Sequence, residues 1–84
     1  MASDRMPLSS KATLSVALAK ARTAVQLDQA QYHEGARAYY VEVVELLARV
    51  IGRASNENDV RKLEDIRRAY TDRIQQLEEL LADA

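Results

Sequence analysis

The sequence predicts an all-α fold, an antiparallel bundle of three helices. The 84 residues include only two glycines and one proline, so the chain has few points at which a helix must stop. Apolar residues make up 48% of the chain and charged residues 30%, a balance typical of globular rather than disordered proteins. Apolar side chains recur at helical spacing over three long stretches. We therefore predict helices over about 10–31, 33–52 and 57–82, in a single domain spanning 9–82 that follows a flexible lead over 1–8.

The first helix is predicted to begin after Ser9 or Ser10, because either hydroxyl can cap the free backbone N–H groups of a first turn. Its apolar face is rich in alanine. Such small side chains let a neighbouring helix approach closely, and they leave a shallow groove wherever no neighbour covers them. The face contains Leu14, Ala17, Leu18, Ala21, Ala24, Val25 and Asp28.

A tight turn is predicted near 31–33, and the second helix that follows it has an unusually wide apolar arc. One stripe contains Ala36, Tyr40, Val43 or Val44, Leu47 and Ile51. A second stripe contains Tyr39, Val43, Leu46 and Val50. An arc this wide indicates that the helix either contacts two neighbours or leaves a strip exposed for a partner. Gly52 is expected to end this helix in the left-handed conformation.

The third helix is predicted to begin after Ser55 or Asn56, with Glu57 and Asp59 in its first turn, where the helix dipole favours acidic groups. Its apolar stripe contains Leu63, Ile66, Tyr70, Ile74, Leu77 and Leu81. Because both connections are short, neighbouring helices are expected to run antiparallel.

The residue types argue against catalysis. The chain has no cysteine and a single histidine, His33, so neither a nucleophile–base pair nor a metal-ligand spacing can be assembled from the sequence. We expect no enzyme activity, no metal and no cofactor. A net charge of −1 gives no single-sign field for nucleic acid, and no apolar run is long enough to insert into a membrane.

Two spaced patterns resemble a known family. The pattern Ala24-x3-Asp28-x-Ala30-x3-Glu34-x-Ala36-x3-Tyr40-x3-Val44-Glu45-x5-Ile51 is similar to the first helical hairpin of MIT domains, the microtubule-interacting and trafficking modules. The stretch Tyr70-Thr71-Asp72-Arg73 resembles the third helix of such domains in endosomal AAA-ATPases. The resemblance covers about 11–81.

This resemblance implies a monomeric, cytoplasmic module that binds short C-terminal tails of ESCRT-III-type subunits and is peripheral at endosomal or other remodelling membranes through that partner. One candidate site is the groove between the second and third helices. It would be formed by Tyr39, Val43, Leu46, Val50, Arg67, Tyr70, Thr71 and Ile74, with Asp72 and Glu78 meeting a basic residue of the tail. Thr71 replaces a leucine that lines this groove in ATPase-type members. A groove between the first and third helices, against Ala17, Ala21 and Ala24, is the alternative.

Two other interpretations of the same periodicity remain open. A tetratricopeptide-like hairpin shares the spacing of alanine and tyrosine, although such repeats recur about every 34 residues and the third helix does not repeat the first. A coiled-coil oligomerisation module could use Leu63, Ile66, Tyr70, Leu77 and Leu80 as heptad positions, although Arg73 would then occupy a core position.

Overall fold

Three helices account for nearly all of the chain that the structure, a computed structural model, describes, which is residues 9–83. Helix α1 spans Ser10–Gln29, α2 spans His33–Arg53 and α3 spans Glu57–Ala82. No strand occurs in this range, so the predicted all-α three-helix fold is confirmed. The predicted lead over 1–8 lies outside the described residues.

Side-chain caps begin α1 and α3, as the sequence predicted. The hydroxyl of Ser9 accepts a hydrogen bond from the backbone N–H of Ala12 at 3.0 Å. The amide oxygen of Asn56 accepts from the N–H groups of Asn58 and Asp59 at 2.9 and 3.2 Å. Each cap satisfies N–H groups that have no partner inside the first turn.

The turn between α1 and α2 is a Schellman motif. The N–H of Tyr32 donates to the carbonyl of Leu27 at 2.9 Å, and the N–H of Gln31 donates to that of Asp28 at 3.0 Å. Gln31 has φ 65°, the left-handed conformation that this motif requires and that usually selects glycine. The predicted turn is confirmed, and it ends α1 at Gln29 rather than 31.

The expectation for Gly52 was wrong. Helix α2 continues through Gly52 to Arg53, and no glycine within residues 9–83 has a positive φ. The chain leaves the helix at Ala54, which has extended backbone angles of φ −75° and ψ 140°. Because the exit is extended, the conformational freedom of Gly52 is not used.

The core lies mainly between α1 and α2. Among the described residues, α3 contributes a single buried side chain, Leu77, which packs with Tyr40 and two alanines. Ile66 was expected on the core stripe of α3 but is 40% exposed. The buried apolar residues are Ala17, Ala21, Ala24, Ala36, Tyr40, Val43, Leu47, Val50 and Leu77.

Helix α2 is the central element of the bundle. It packs closely against both α1 and α3, whereas no Cα atom of α1 lies within 8 Å of a Cα atom of α3 in the described residues. Directly packed helices have axes about 8–10 Å apart, so α1 and α3 splay away from each other and leave a groove open to solvent. None of the described helices is long and apolar enough to cross a membrane.

Candidate functional site

Apolar side chains remain exposed on both sides of the gap between α1 and α3. Leu18 and Val25 of α1 are 47% and 37% exposed, and Ile66 of α3 is 40% exposed. Tyr70 of α3 lies at the bottom of the gap and packs against the core. We call this surface the α1/α3 groove and define it by Leu14, Leu18, Ala21, Val25, Ile66 and Tyr70.

Helix α1 lines the groove because it carries two apolar stripes. Residues at positions 17, 21 and 24 point into the bundle and are buried. Residues at positions 14, 18, 21 and 25 recur at spacings of four, three and four, which places them on a neighbouring strip of the helix surface. Helix α2 covers the first strip, and α3 is too distant to cover the second.

Two concavities lie in line along the groove. The first, of about 430 Å³, is lined by Leu18, Ala21, Arg22, Val25, Gln26 and Tyr70. The second, of about 440 Å³, is lined by Leu14, Val50, Ala54, Asp59, Lys62, Leu63 and Ile66. Both are open at the surface and mostly apolar inside. Their rims carry two cations, Arg22 and Lys62, that form no ion pair with any described residue.

An ion pair crosses the gap at one end of the groove. Nε of Arg73 in α3 donates to Oδ2 of Asp28 in α1 at 2.8 Å, and a second guanidinium nitrogen donates to Oδ1 at 2.7 Å. Such a bidentate pair is both strong and geometrically specific. The hydrogen bonds from Arg73 outweigh the opposing effect of burial and hold the pKa of the Asp28 carboxyl below its ordinary value.

Tyr40 connects this ion pair to the core. Its hydroxyl donates to Oδ2 of Asp28 at 3.1 Å, and its ring is buried. Burial, reinforced by the hydrogen bond to the Asp28 carboxylate, raises the pKa of Tyr40 to about 12. The ring of Tyr40 also stacks against that of Tyr70, so the bottom of the groove is packed against the residue that contacts Asp28.

The structure places the predicted α2 residues away from α3. Nζ of Lys20 in α1 lies 5.6 Å from the ring centroid of Tyr39 and 2.8 Å from a carboxylate oxygen of Glu42, which puts this edge of α2 beside α1. Leu46 shares the edge, because it follows Glu42 by four positions and Tyr39 by seven. Tyr39 and Leu46 therefore do not line a groove with α3, contrary to the expectation.

The two valines predicted for that groove are core residues. Val43 is 1% exposed and Val50 is 6% exposed, so neither offers much surface to a partner. Val43 packs with α1, and the remaining exposed part of Val50 faces the second concavity of the α1/α3 groove.

Four of the predicted α3 residues do lie on the side that faces α2: Arg67, Thr71, Ile74 and Glu78. An ion pair, however, crosses this side. Glu78 accepts a hydrogen bond from Nε of Arg37 in α2 at 3.3 Å, so it already has a cationic partner. The Thr71 hydroxyl donates to the carbonyl of Arg67 at 2.8 Å. The remaining member is Ile74, which is half-buried against the core.

Asp72 lies on a different face of α3. It precedes the buried Leu77 by five positions, which places it about 140° around the helix from the core, and it is exposed. The carboxylate is therefore directed away from both grooves.

Of the three alanines predicted for the alternative groove, only Ala21 lines it. Ala17 and Ala24 are 0% exposed because they pack within the bundle. The larger neighbours Leu18 and Val25 form the wall instead. Sequence reasoning did not assign these two residues to the site, although their spacing from Leu14 and Ala21 places all four on one strip of α1.

The family model of the MIT (microtubule interacting and transport) domain matches residues 14–79. The chain belongs to the MIT family. The match selects this family over the tetratricopeptide-like alternative, and it makes this MIT domain a protein-interaction module rather than a member of a catalytic family. No curated protein and no solved structure gave a significant match to the chain.

Proposed function

We propose that this MIT domain binds short C-terminal tail motifs of ESCRT-III-type subunits in the α1/α3 groove. Through that contact it recruits the protein that contains it to endosomal sorting or other membrane-remodelling sites. Support comes from the family, whose members bind peptide motifs, and from the exposed apolar walls of this groove. The observation that carries the choice of groove is the exposure of Leu18, Val25 and Ile66 on facing helices.

The dimensions of the groove suit a short peptide. Leu14 and Val25 are eleven residues apart on α1, which corresponds to roughly 16 Å of helix. An extended peptide covers that length with about five residues. Apolar side chains of the tail would enter the two concavities, and displacement of water from these surfaces would supply most of the affinity.

Charges at the rim would fix the register of the tail. Arg22 borders the first concavity and Lys62 the second, and neither has an ionic partner in the described part of the chain. Acidic side chains of the tail would pair with them, while Asp59 beside the second concavity disfavours an acidic group at that point. Such rim contacts contribute to specificity and association rate more than to affinity.

The decisive experiment is a titration of labelled ESCRT-III C-terminal tail peptides with two matched variants. Val25→Asp places a charge in the groove wall and should weaken binding about tenfold or more, because the carboxylate is desolvated against apolar surface. Val16→Asp is the control. Val16 is 38% exposed, as Val25 is 37% exposed, but nine positions place it on the opposite face of α1.

A second pair of variants separates the two grooves. Thr71→Asp alters the side of α3 that faces α2, and Leu46→Asp alters the α1 side of α2, so both should leave tail affinity unchanged. Equal affinity for Val25→Asp and the parent domain, or a loss confined to Thr71→Asp, would overturn the assignment to the α1/α3 groove.

The cellular part of the function follows from the tail contact. We expect the domain to be a cytoplasmic monomer that reaches endosomal or other remodelling membranes only through its partner. A fluorescent fusion of the domain should concentrate at ESCRT-III sites, and the Val25→Asp fusion should remain diffuse. Recruitment of both fusions would contradict this mode of localisation.

A further inference from the structure

Helices α1 and α3 are held together without direct backbone packing. In residues 9–83 no Cα atom of one lies within 8 Å of a Cα atom of the other, and the space between them is the α1/α3 groove. Helix α2 positions both helices, and side chains that span the gap can further restrict the separation of its walls.

The bidentate pair of Asp28 and Arg73 is the one ion pair that joins these two helices among the described residues. The other inter-helix pairs join α1 to α2, through Lys20 and Glu42, and α2 to α3, through Arg37 and Glu78. The Asp28 side chain is only 14% exposed, so solvent screens this pair less than the others.

Further contacts fix the geometry of the pair. The hydroxyl of Tyr40 donates to the Asp28 carboxylate at 3.1 Å, and the third guanidinium nitrogen of Arg73 donates to the side-chain oxygen of Gln76 at 2.8 Å. The carboxylate is thus held from α2 and the guanidinium from its own helix. The pair cannot change its length without breaking several hydrogen bonds.

The pair also lies at the limit of the groove. Asp28 follows the wall residue Val25 by three positions, and Arg73 follows Tyr70 by three positions, so both are about one turn beyond the first concavity. At this point the ion pair crosses the gap and closes it.

We propose that Asp28 and Arg73 act as positioning residues that set the width of the α1/α3 groove and close one of its ends. A tail seated in the groove must then turn out of it before the pair, and it extends toward the end near Leu14 and Leu63. Loss of the pair widens the groove. The resulting effect on tail affinity rests on the peptide-binding function proposed above, whereas the effect on width does not.

The width can be measured by spin labelling, because the chain contains no cysteine of its own. Labels at Gln29→Cys and Gln75→Cys, both exposed, report the distance between α1 and α3 near the pair. We expect Arg73→Gln to lengthen or broaden this distance distribution. The matched control is Arg37→Gln, which removes the α2–α3 ion pair and should leave the distribution unchanged.

Tail affinity is the second measurement. If only about a fifth of the Arg73→Gln molecules have a groove of the original width, affinity falls about fivefold, since the competent fraction scales the apparent affinity. Arg73→Lys keeps the charge but cannot form the bidentate pair, so it should give a distance distribution between those of the original domain and Arg73→Gln. It replaces Arg73→Gln if circular dichroism shows that the latter does not fold.

A distance distribution in the folded Arg73 variant identical to that of the parent domain would overturn the assignment. So would an equal change in Arg37→Gln. Absence of tail binding by the parent domain would instead contradict the proposed function alone, because the distances are measured without peptide.

Discussion

The ring of Tyr40 stacks on the ring of Tyr70, with centroids 5.4 Å apart and planes inclined by 28°. Tyr40 is buried in the core and hydrogen-bonded to Asp28, and Tyr70 lies at the bottom of the α1/α3 groove. Offset aromatic pairs of this kind contribute about 0.5–1.5 kcal/mol beyond the area that they bury. The stack therefore joins the core to the groove, and changes at Asp28 or Tyr40 should be measurable in both.

Replacement of Asp28 by asparagine should destabilise the domain at neutral pH. Charge-assisted hydrogen bonds contribute about 1.5–3 kcal/mol each, but the Arg73 side chain is 36% exposed, so a total loss of roughly 2 kcal/mol is expected. Urea denaturation followed by circular dichroism measures the loss. Asp72→Asn, which removes an exposed carboxylate of α3, is the control and should change stability little.

The same carboxylate predicts a dependence of stability on pH. Because the pKa of folded Asp28 lies below the ordinary value of 3.8, its contribution is complete well above that pH. It is lost as the pH falls from there through the folded pKa. The difference in unfolding free energy between the parent domain and Asp28→Asn should therefore shrink on acidification below about pH 4. A constant difference would contradict the assignment of the stabilisation to ionised Asp28.

Replacement of Tyr40 by phenylalanine should remove a tyrosine titration at high pH. With the pKa of folded Tyr40 at about 12, its neutral form stabilises the fold below about pH 10, and that stabilisation is lost as the pH rises toward 12. Phenolate absorbance should lose its step at about pH 12 in Tyr40→Phe, and the variant should be about 1 kcal/mol less stable at neutral pH. Tyr39→Phe, which removes a hydroxyl without a described hydrogen bond, is the control for stability and should leave it nearly unchanged.

Replacement of Gly52 by alanine should stabilise the domain by roughly 0.5–1 kcal/mol, because the residue is helical and a Cβ would meet no atom within 4 Å. If Gly52 were left-handed, as the sequence suggested, the same substitution would lower the stability instead. Thermal denaturation of this one variant therefore distinguishes a helical Gly52 from a left-handed one. Gly35→Ala is the matched comparison. Its Cβ would lie 2.5 Å from a ring carbon of Tyr32, and the required ring movement should reduce or reverse the gain.

Replacement of Gln31 by glycine should also stabilise the domain, by about 0.5–1 kcal/mol. The left-handed conformation at φ 65° is strained for glutamine, and glycine adopts it without a Cβ penalty, although its greater freedom in the unfolded chain offsets part of the gain. Thermal denaturation shows whether the variant is more or less stable than the original domain. Gln29→Gly, at the last residue of α1, is the control: its backbone is helical and not left-handed, so glycine should be destabilising there.

The helices and their caps could be predicted from sequence because they depend on local chemistry. Ser9 and Asn56 begin helices through bonds to N–H groups two or three residues away. Gly52 was mistaken for a terminator because an extended residue, Ala54, ends α2 equally well.

The site could be predicted less well, because it depends on the hand of the bundle. Periodicity shows that Tyr39 and Leu46 lie on one edge of α2, but not whether α1 or α3 packs beside that edge. The structure puts α1 there, through Lys20. The same ambiguity hid the role of Leu18 and Val25. Asp28 and Arg73, 45 positions apart, form a pair that no local spacing could reveal.

The attachment of α3 has a consequence for how the bundle opens. In the described range α3 has one buried side chain, Leu77, and no close backbone approach to α1. The free energy needed to detach α3 should therefore be lower than the free energy needed to separate α1 from α2. Amide hydrogens of α3 should therefore exchange with solvent faster than those of the α1–α2 hairpin. A ligand that spans α1 and α3 is lost whenever α3 leaves, so binding should slow exchange most in that helix.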